Sequence, residues 1–366
     1  MARSGGFGLS SKQYPSRGVE GSTPWSIKDI LRKSHTVPNP KQCDVFKWVC
    51  NVDKYNGTDT YLNAVNEIKE NRDLEKACSL ITQHGLPREV VPTELLNHKS
   101  IWVSLLHNMP YTALIRNLNK MTIVGISDSF IVEKVLDSKA IKRSRIHPMQ
   151  LLIALYVYKA GRGVKGSLTW TPYPSVISAL EEAFEKSVGF VEPTKKYFVH
   201  SLDVSGSMAW NSLCNVPSLT PAVVAAALLY VAIKSEPNVH VQAFSNTLAK
   251  IPNFWTEGGL SNFVQKIYAI SMGSTDLSLP VVYAINNDQY ADVFVCYTDN
   301  QCNCGRHLPD ALKDYRSRIN PNAKYINLAL ENNTYTVGDP QDPNTLSVVG
   351  CDPSLPQIIK NFVEFG

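Results

Sequence analysis

No apolar stretch in this 366-residue chain reaches the roughly 18 residues that a membrane-spanning helix needs. The longest candidate, Pro221 to Ile233, is too short and too rich in alanine, and reads as a buried helix. The segment Met1–Gly8 holds no apolar signal core, so export is not expected. The eight cysteines fall at irregular spacings, mostly within apolar elements as Cys78 and Cys296 do, which suits reduced thiols better than a disulfide framework. Cys302 and Cys304, with His307 and Cys296 nearby, raise a zinc reading. The Cys-x-Cys spacing is atypical of zinc and no second cysteine pair follows, so they read as loop cysteines. No glycine-rich phosphate loop follows a strand, and no serine has a convincing His/Asp partnership. Catalysis is therefore not expected.

The chain does have enough apolar sequence, 44%, to build real cores. Its length exceeds what one core usually supports, so two domains are the default. Charge divides them. Residues 1–190 hold 25 Lys+Arg against 17 Asp+Glu, and residues 191–366 hold 11 against 15. A nucleic acid would meet the first half, although cations that merely solvate helix faces produce the same count.

The second half alternates strand and helix. Apolar runs at Tyr197–Leu202, Val239–Phe244, Ala291–Tyr297 and Lys324–Leu330 read as buried strands. Helical stretches at Pro221–Lys234, Ser261–Ile270, Leu277–Asn286 and Leu308–Arg318 lie between and beyond them. That order predicts a doubly wound α/β fold with a parallel sheet. The first strand runs into Asp203-Val204-Ser205-Gly206-Ser207, which offers a carboxylate and two hydroxyls to one point. Thr275 supplies a third hydroxyl on a tight loop, and Asp299 stands at the end of another apolar strand. In open parallel sheets such strand ends gather ligands. These are hard oxygen donors suited to a small hard cation such as Mg2+. A short Ser/Asp string alone often just caps a helix, but three pieces in order are a stronger signal. The set resembles the metal-ion-dependent adhesion site of von Willebrand factor A domains. An ion held there by few charges could take a carboxylate from an acidic protein partner. Asp276 and Ser278 are expected to help start the following helix.

The first half is helical in pattern. From about Tyr61 to Ala160, apolar residues recur at three- and four-residue spacing, broken at Leu86-Pro87, Met109-Pro110 and His147-Pro148. Glu94–His107, Tyr111–Met121 and Pro148–Lys159 fit the short antiparallel helices of a solenoid without a strict period. His147 reads as a structural residue fixing an interhelical turn.

Longer runs carry a closer resemblance. The segment Ala140-Ile141-Lys142-Arg143-Ser144-Arg145-Ile146-His147-Pro148, continuing to Tyr158-Lys159-Ala160-Gly161, is similar to the Ro ribonucleoprotein autoantigen family and its TROVE-module relatives. So are Met109 to Leu118, Val191 to Thr194 and Gly273 to Leu279. The Gly/Ser-rich composition of Met1 to Ser22 suggests a disordered segment over 1–24. The resemblance implies a partial α-helical repeat domain of HEAT-like, TROVE-like type over 25–190, and a von Willebrand factor A-like domain with its metal site over 191–366. It also implies a non-catalytic ribonucleoprotein component that binds small noncoding (Y-type) RNAs and misfolded or defective RNAs, in RNA quality control. The alternative is a metal-dependent interaction module for an acidic partner, without RNA function.

Ser26 to His35 is similar to a family helix whose basic and histidine positions contact RNA. Lys28, Arg32 and His35 lie at i, i+4 and i+7, on one helical face, with Lys33 beside them. Ile27 departs from the histidine the family often has there. Arg116 with Lys120, and Lys142, Arg143 and Arg145, are further RNA candidates. Relatives carry a long helical stretch ahead of Trp25, so the helical ring is expected to be incomplete and self-association through its bared end is an open expectation. The cysteine pattern points to the cytoplasm, with the nucleus as the other compartment that keeps thiols reduced.

Overall fold

The computed structural model describes residues 27–40, 42–50, 57–164, 167–270, 273–300, 302, 304–331, 337–352 and 354–365. The expectation of disorder over 1–24 lies outside them. Contacts divide the chain into two compact units, residues 1–110 with 123–126, and residues 111–122 with 127–366.

The first unit contains α1 (Ile27–Ser34), α2 (Cys43–Cys50), α3 (Thr60–Glu70), α4 (Leu74–His84) and α5 (Lys99–Leu106). Aspartates start two of these helices: the Asp59 carboxylate accepts from Leu62 N at 3.0 Å, and Asp73 accepts from Glu75 N at 2.9 Å. Neighbouring helices bury Val65 and Ile68 of α3, Ala77 and Ile81 of α4, and Ile101 and Trp102 of α5. The helix expected over Glu94–His107 is split into a 3-10 turn, Leu95–Asn97, and α5. His98 between them is extended, and the Trp102 indole N–H donates to the Leu96 carbonyl at 2.8 Å.

In the second unit come α6 (Tyr111–Arg116), α7 (Leu118–Ile123), α8 (Asp128–Val135), α9 (Ser138–Ser144), α10 (Pro148–Lys159) and α11 (Pro174–Val188). The expected helix Tyr111–Met121 breaks at Asn117, whose side-chain amide donates to the Ala113 carbonyl at 2.7 Å and competes with the backbone ladder. α10 has the expected bounds. His147 caps it, its Nδ1 accepting from Met149 N at 3.2 Å, and Pro148 fits the first turn where no N–H is needed.

A six-stranded sheet follows, built from β1 (Phe198–Asp203), β2 (Val239–Phe244), β3 (Leu248–Lys250), β4 (Val293–Thr298), β5 (Lys324–Ala329) and β6 (Thr345–Val349). Its order is β3-β2-β1-β4-β5-β6, parallel except for the edge strand β3. β1 and β4 are buried at every position, as strands covered on both faces are. The helices are α12 (Pro221–Ser235), α13 (Gly259–Tyr268), α14 (Leu279–Asn286), α15 (Leu308–Arg318) and α16 (Leu355–Phe365). Leu277, Val281 and Ala284 near α14, and Leu308, Leu312 and Tyr315 of α15, share a core with Val199, Phe294 and Cys296. α12 packs against β1, β2 and β4 and is buried without a break from Pro221 to Ala232. The doubly wound expectation holds. β3, β6 and α16 go beyond it, for β3 is three residues long and β6 is half exposed, so neither strand carries a strong apolar run.

Candidate metal centre and cationic surfaces

Parallel strands carry their carboxyl ends to one edge of the sheet. β1 lies between β2 and β4, and at β1/β4 the strand order reverses, the switch point at which open α/β sheets gather their ligand-binding loops. Asp203 ends β1 and Asp299 follows β4; they are 1% and 0% exposed. Ser205 and Thr275 are buried as well, and Ser207 is half-buried.

Short hydrogen bonds fix this edge. One oxygen of Asp203, Oδ1, accepts from Ser205 N at 2.8 Å, and Oδ2 accepts from the Thr298 hydroxyl at 2.8 Å. The hydroxyls of Ser205 and Ser207 are 3.2 Å apart. Thr275 is held through its backbone: Asp276 N donates to Ser245 O at 3.1 Å, just past β2, and Cys304 N donates to Thr275 O at 3.3 Å, past β4. The Asp276 carboxylate accepts from both Ser278 N and Ser278 Oγ just before α14, at 2.9 and 2.6 Å, while the Ser278 hydroxyl, expected to help start that helix, makes no capping bond to it. Ser278 Oγ in turn accepts from Arg306 N at 3.1 Å. Gly305 has φ +98°, and a side chain there would collide with the Asp276 carboxylate. The threonine loop is thus clamped between the loops after β2 and β4.

Burial raises the Asp203 carboxyl to about 6; the Ser205 and Thr298 hydrogen bonds oppose this and the charge of Asp299 adds to it. Two neutral donors do not compensate the removal of this carboxylate from water. A divalent cation would, and the donor set (two carboxylates and three hydroxyls, all hard oxygen) fits Mg2+ better than a soft-ligand metal. Among the described residues no group of three or more His, Cys, Asp or Glu gathers at one point. Cys296 is buried in β4 while Cys302 and Cys304 are exposed, and the Cys304 thiol faces the Thr275 carbonyl at 3.6 Å. Sequence reasoning missed Thr298, the residue that aligns Asp203. Its signal is its place one residue before Asp299, directly after Tyr297, the last residue of β4 paired with β1.

The basic candidates occupy separate places. In the first unit, α1 has no buried residue, Lys28 is half-buried, and Arg32 and Lys33 are exposed. His35 lies past the helix end with φ +48°, so it leaves the face it was expected to share with Lys28 and Arg32. In the second unit, Arg116 ends α6 and Lys120 lies on α7, so the pair straddles the break at Asn117. Lys142 and Arg143 close α9, and Arg145 caps it in the left-handed region at φ +52°. Lys142 and Arg143 are exposed, Arg145 is so too, and Lys142 Nζ stands 5.9 Å from the Phe190 ring centre.

A doubly wound sheet with buried oxygen groups at one edge, preceded by short packed helices, defines a chain in which a helical part is followed by a von Willebrand A-type domain. The family described as Ro60 vWA domain matches residues 197–363, and the TROVE domain family matches residues 83–156. The RNA-binding protein RO60 of Caenorhabditis elegans is 38% identical over 317 residues, which are 84% of this chain and 48% of that protein. The RNA-binding protein RO60 of Deinococcus radiodurans is 32% identical, over 93% of this chain and 66% of that protein. The crystal structure of the Deinococcus radiodurans RO (RSR) protein superposes with a TM-score of 0.83 at 31% identity, covering 93% of this chain and 70% of that one. The chain belongs to the Ro60 family. It spans about half the length of the nematode relative and 66% of the bacterial one.

Proposed function

We propose that this chain is an RNA-binding ribonucleoprotein component that holds small noncoding RNAs and misfolded RNAs, and thereby serves RNA quality control. The observation that carries the reading is the place of the exposed arginines: Arg116, Arg143 and Arg145 fall inside the stretch that matches the TROVE family, whose relatives here are RNA-binding proteins. Guanidinium groups meet phosphate in a fixed fork and displace its counterions, which makes binding steeply salt-dependent. Lys28 and Arg32 offer a second basic row, with His35 beyond the helix end able to stack on a base. The role requires no bond-making step.

The sheet edge at Asp203 supports an additional reading, a divalent-cation site. Asp203, Ser205, Ser207, Thr275 and Asp299 would hold Mg2+, which would lend Lewis acidity toward an acidic residue of a protein partner. The protein itself supplies the alignment of those oxygens and the exclusion of water around Asp203.

The test is binding of the full chain to a structured small RNA with a single-stranded tail, titrated across salt. Arg116, Arg143 and Arg145 changed together to Ala should weaken binding and flatten the salt slope by about two, somewhat under one for each phosphate that is no longer neutralised. Unchanged affinity and slope would remove these residues from the RNA surface. Asp203→Ala should leave RNA binding intact while abolishing Mg2+ binding by calorimetry.

A further inference from the structure

Between α6, α7 and α10 lies an open groove of about 260 Å³. Ile115, Leu118, Ile153 and Val157 give it an apolar floor, and no acidic residue lines it. Side chains with amide, hydroxyl or guanidinium groups also line it: Asn119, whose Oδ1 accepts from Lys120 N at 2.8 Å, and Thr112, Arg116 and Gln150. Among the described residues, no hydrogen bond or ion pair engages the side chains of Thr112, Arg116 or Gln150. Their bonding capacity is unspent in a largely apolar site.

One end of the groove is an aromatic wall built in advance. The Trp170 indole N–H donates to the Tyr158 carbonyl at 2.9 Å, and the two rings stack with centres 6.3 Å apart. The Tyr158 hydroxyl is engaged with Thr122 Oγ1 at 2.8 Å and Tyr173 N at 3.2 Å. Gly161, at φ +65°, lets the chain pass so close to the Trp170 carbonyl that a side chain there would collide with it. The wall is therefore fixed before anything binds, which reduces the ordering cost of occupation.

A purely apolar occupant would leave Thr112, Gln150 and Arg116 unserved, and a bare anion would leave the floor unused. An unpaired nucleotide answers both demands, since its base has flat apolar faces and a hydrogen-bonding edge, and its phosphate carries the charge. In a duplex those faces and edges are already occupied. Lys142 and Arg143 in the last turn of α9, and Arg145 at its cap, immediately precede Ile146, another lining residue, so cations stand next to the groove in sequence.

We infer that this groove takes the base of an unpaired RNA nucleotide, with Thr112 and Gln150 reading its edge and Arg116 meeting the adjoining phosphate. The inference rests on the RNA-binding reading above and gives it a single-stranded subsite.

Fluorescence anisotropy of the full chain with a short oligouridylate, a short oligoadenylate and a blunt RNA duplex tests it. Ala154→Phe fills the groove without changing charge, and Gln150→Ala removes an edge contact without adding bulk. Ala154→Phe should weaken single-strand binding roughly tenfold or more with an unchanged salt slope, and spare the duplex. Gln150→Ala should change the preference between the two oligonucleotides. If Ala154→Phe fails the melting check, Gln150→Ala carries the test alone. Wild-type binding that neither variant alters overturns the subsite, leaves the RNA reading standing and turns the groove over to a protein side chain. Equal losses for duplex and single strand would also overturn it. A wild-type chain that binds no RNA with salt sensitivity defeats the RNA reading itself, and the subsite falls with it.

Discussion

Asp203 combines deep burial with neutral hydrogen-bond partners, and this has a thermodynamic sign. An acid raised from 3.8 to about 6 holds more protons folded than unfolded between those values. Its contribution to stability is thus fullest below about 3.8 and is lost as the pH rises through about 6, a swing of roughly 3 kcal/mol at 1.4 kcal/mol per unit. In chelator, wild-type stability should fall relative to Asp203→Asn across that window, with the nearby charge of Asp299 adding to the fall. Saturating Mg2+ should restore it at neutral pH and do little at pH values where the acid is protonated. Parallel stability curves for the two proteins in chelator would show that Asp203 is not held in this state. The five candidate oxygen donors could be named from the sequence, because each sits at a strand end or tight loop marked by an apolar run. Thr298 was not visible as the alignment device, because a threonine inside an apolar strand looks like any other β-branched residue.

Helix ends decide the local shape of the helical part. His147 works as a cap only while its Nδ1 can accept from Met149 N, so its ring must be neutral. Burial lowers its pKa to about 4, which keeps the cap intact at neutral pH. Here the linkage sign is opposite to that of Asp203: stability is held above the unfolded value of 6.5 and is lost as the pH falls toward 4. His147→Ala should cost about 1 kcal/mol at pH 7, read by denaturant unfolding, and His147→Asn should recover most of it. A His147→Asn variant as weak as the alanine variant would assign the loss to packing of the ring. Elements with long periodic runs, α10, α12, α15 and the four inner strands, were legible within a residue or two. The breaks at His98 and Asn117 were not, because each depends on a side chain competing for a carbonyl, and apolar spacing continues across it. The stripe of Ile146, Gln150, Ile153 and Val157 was equally hidden, since an interior polar residue on a helix reads as a surface position until its neighbours are known.

At the scale of the whole molecule, the contrast between a basic first half and an acidic second half is a property of the sequence. The packing is cut differently. The second compact unit takes in α6–α11 together with the sheet. Glu185 of α11 joins them most tightly: its carboxylate accepts from the Tyr230 hydroxyl at 2.7 Å and from Leu260 N at 3.3 Å, and it pairs with Lys234 at 3.6 Å. Phe184 packs its ring 6.1 Å from that of Tyr230. No pattern of residues announces this junction, because an amphipathic helix shows which face is apolar and not what covers it.

The unbroken burial of α12 has a practical outcome for anyone cutting the gene. A fragment that starts at Glu192 keeps all six strands of the sheet and the candidate oxygen donors, yet it strips α11 from α12 and leaves Tyr230, a buried phenol, without its carboxylate. Such a fragment should be recovered largely as aggregate, or should bind a hydrophobic dye, by light scattering and dye fluorescence. A fragment starting at Tyr111 should be monodisperse by the same measures. If the shorter piece behaved equally well, α12 would have to tolerate water on a surface of valine, leucine and alanine.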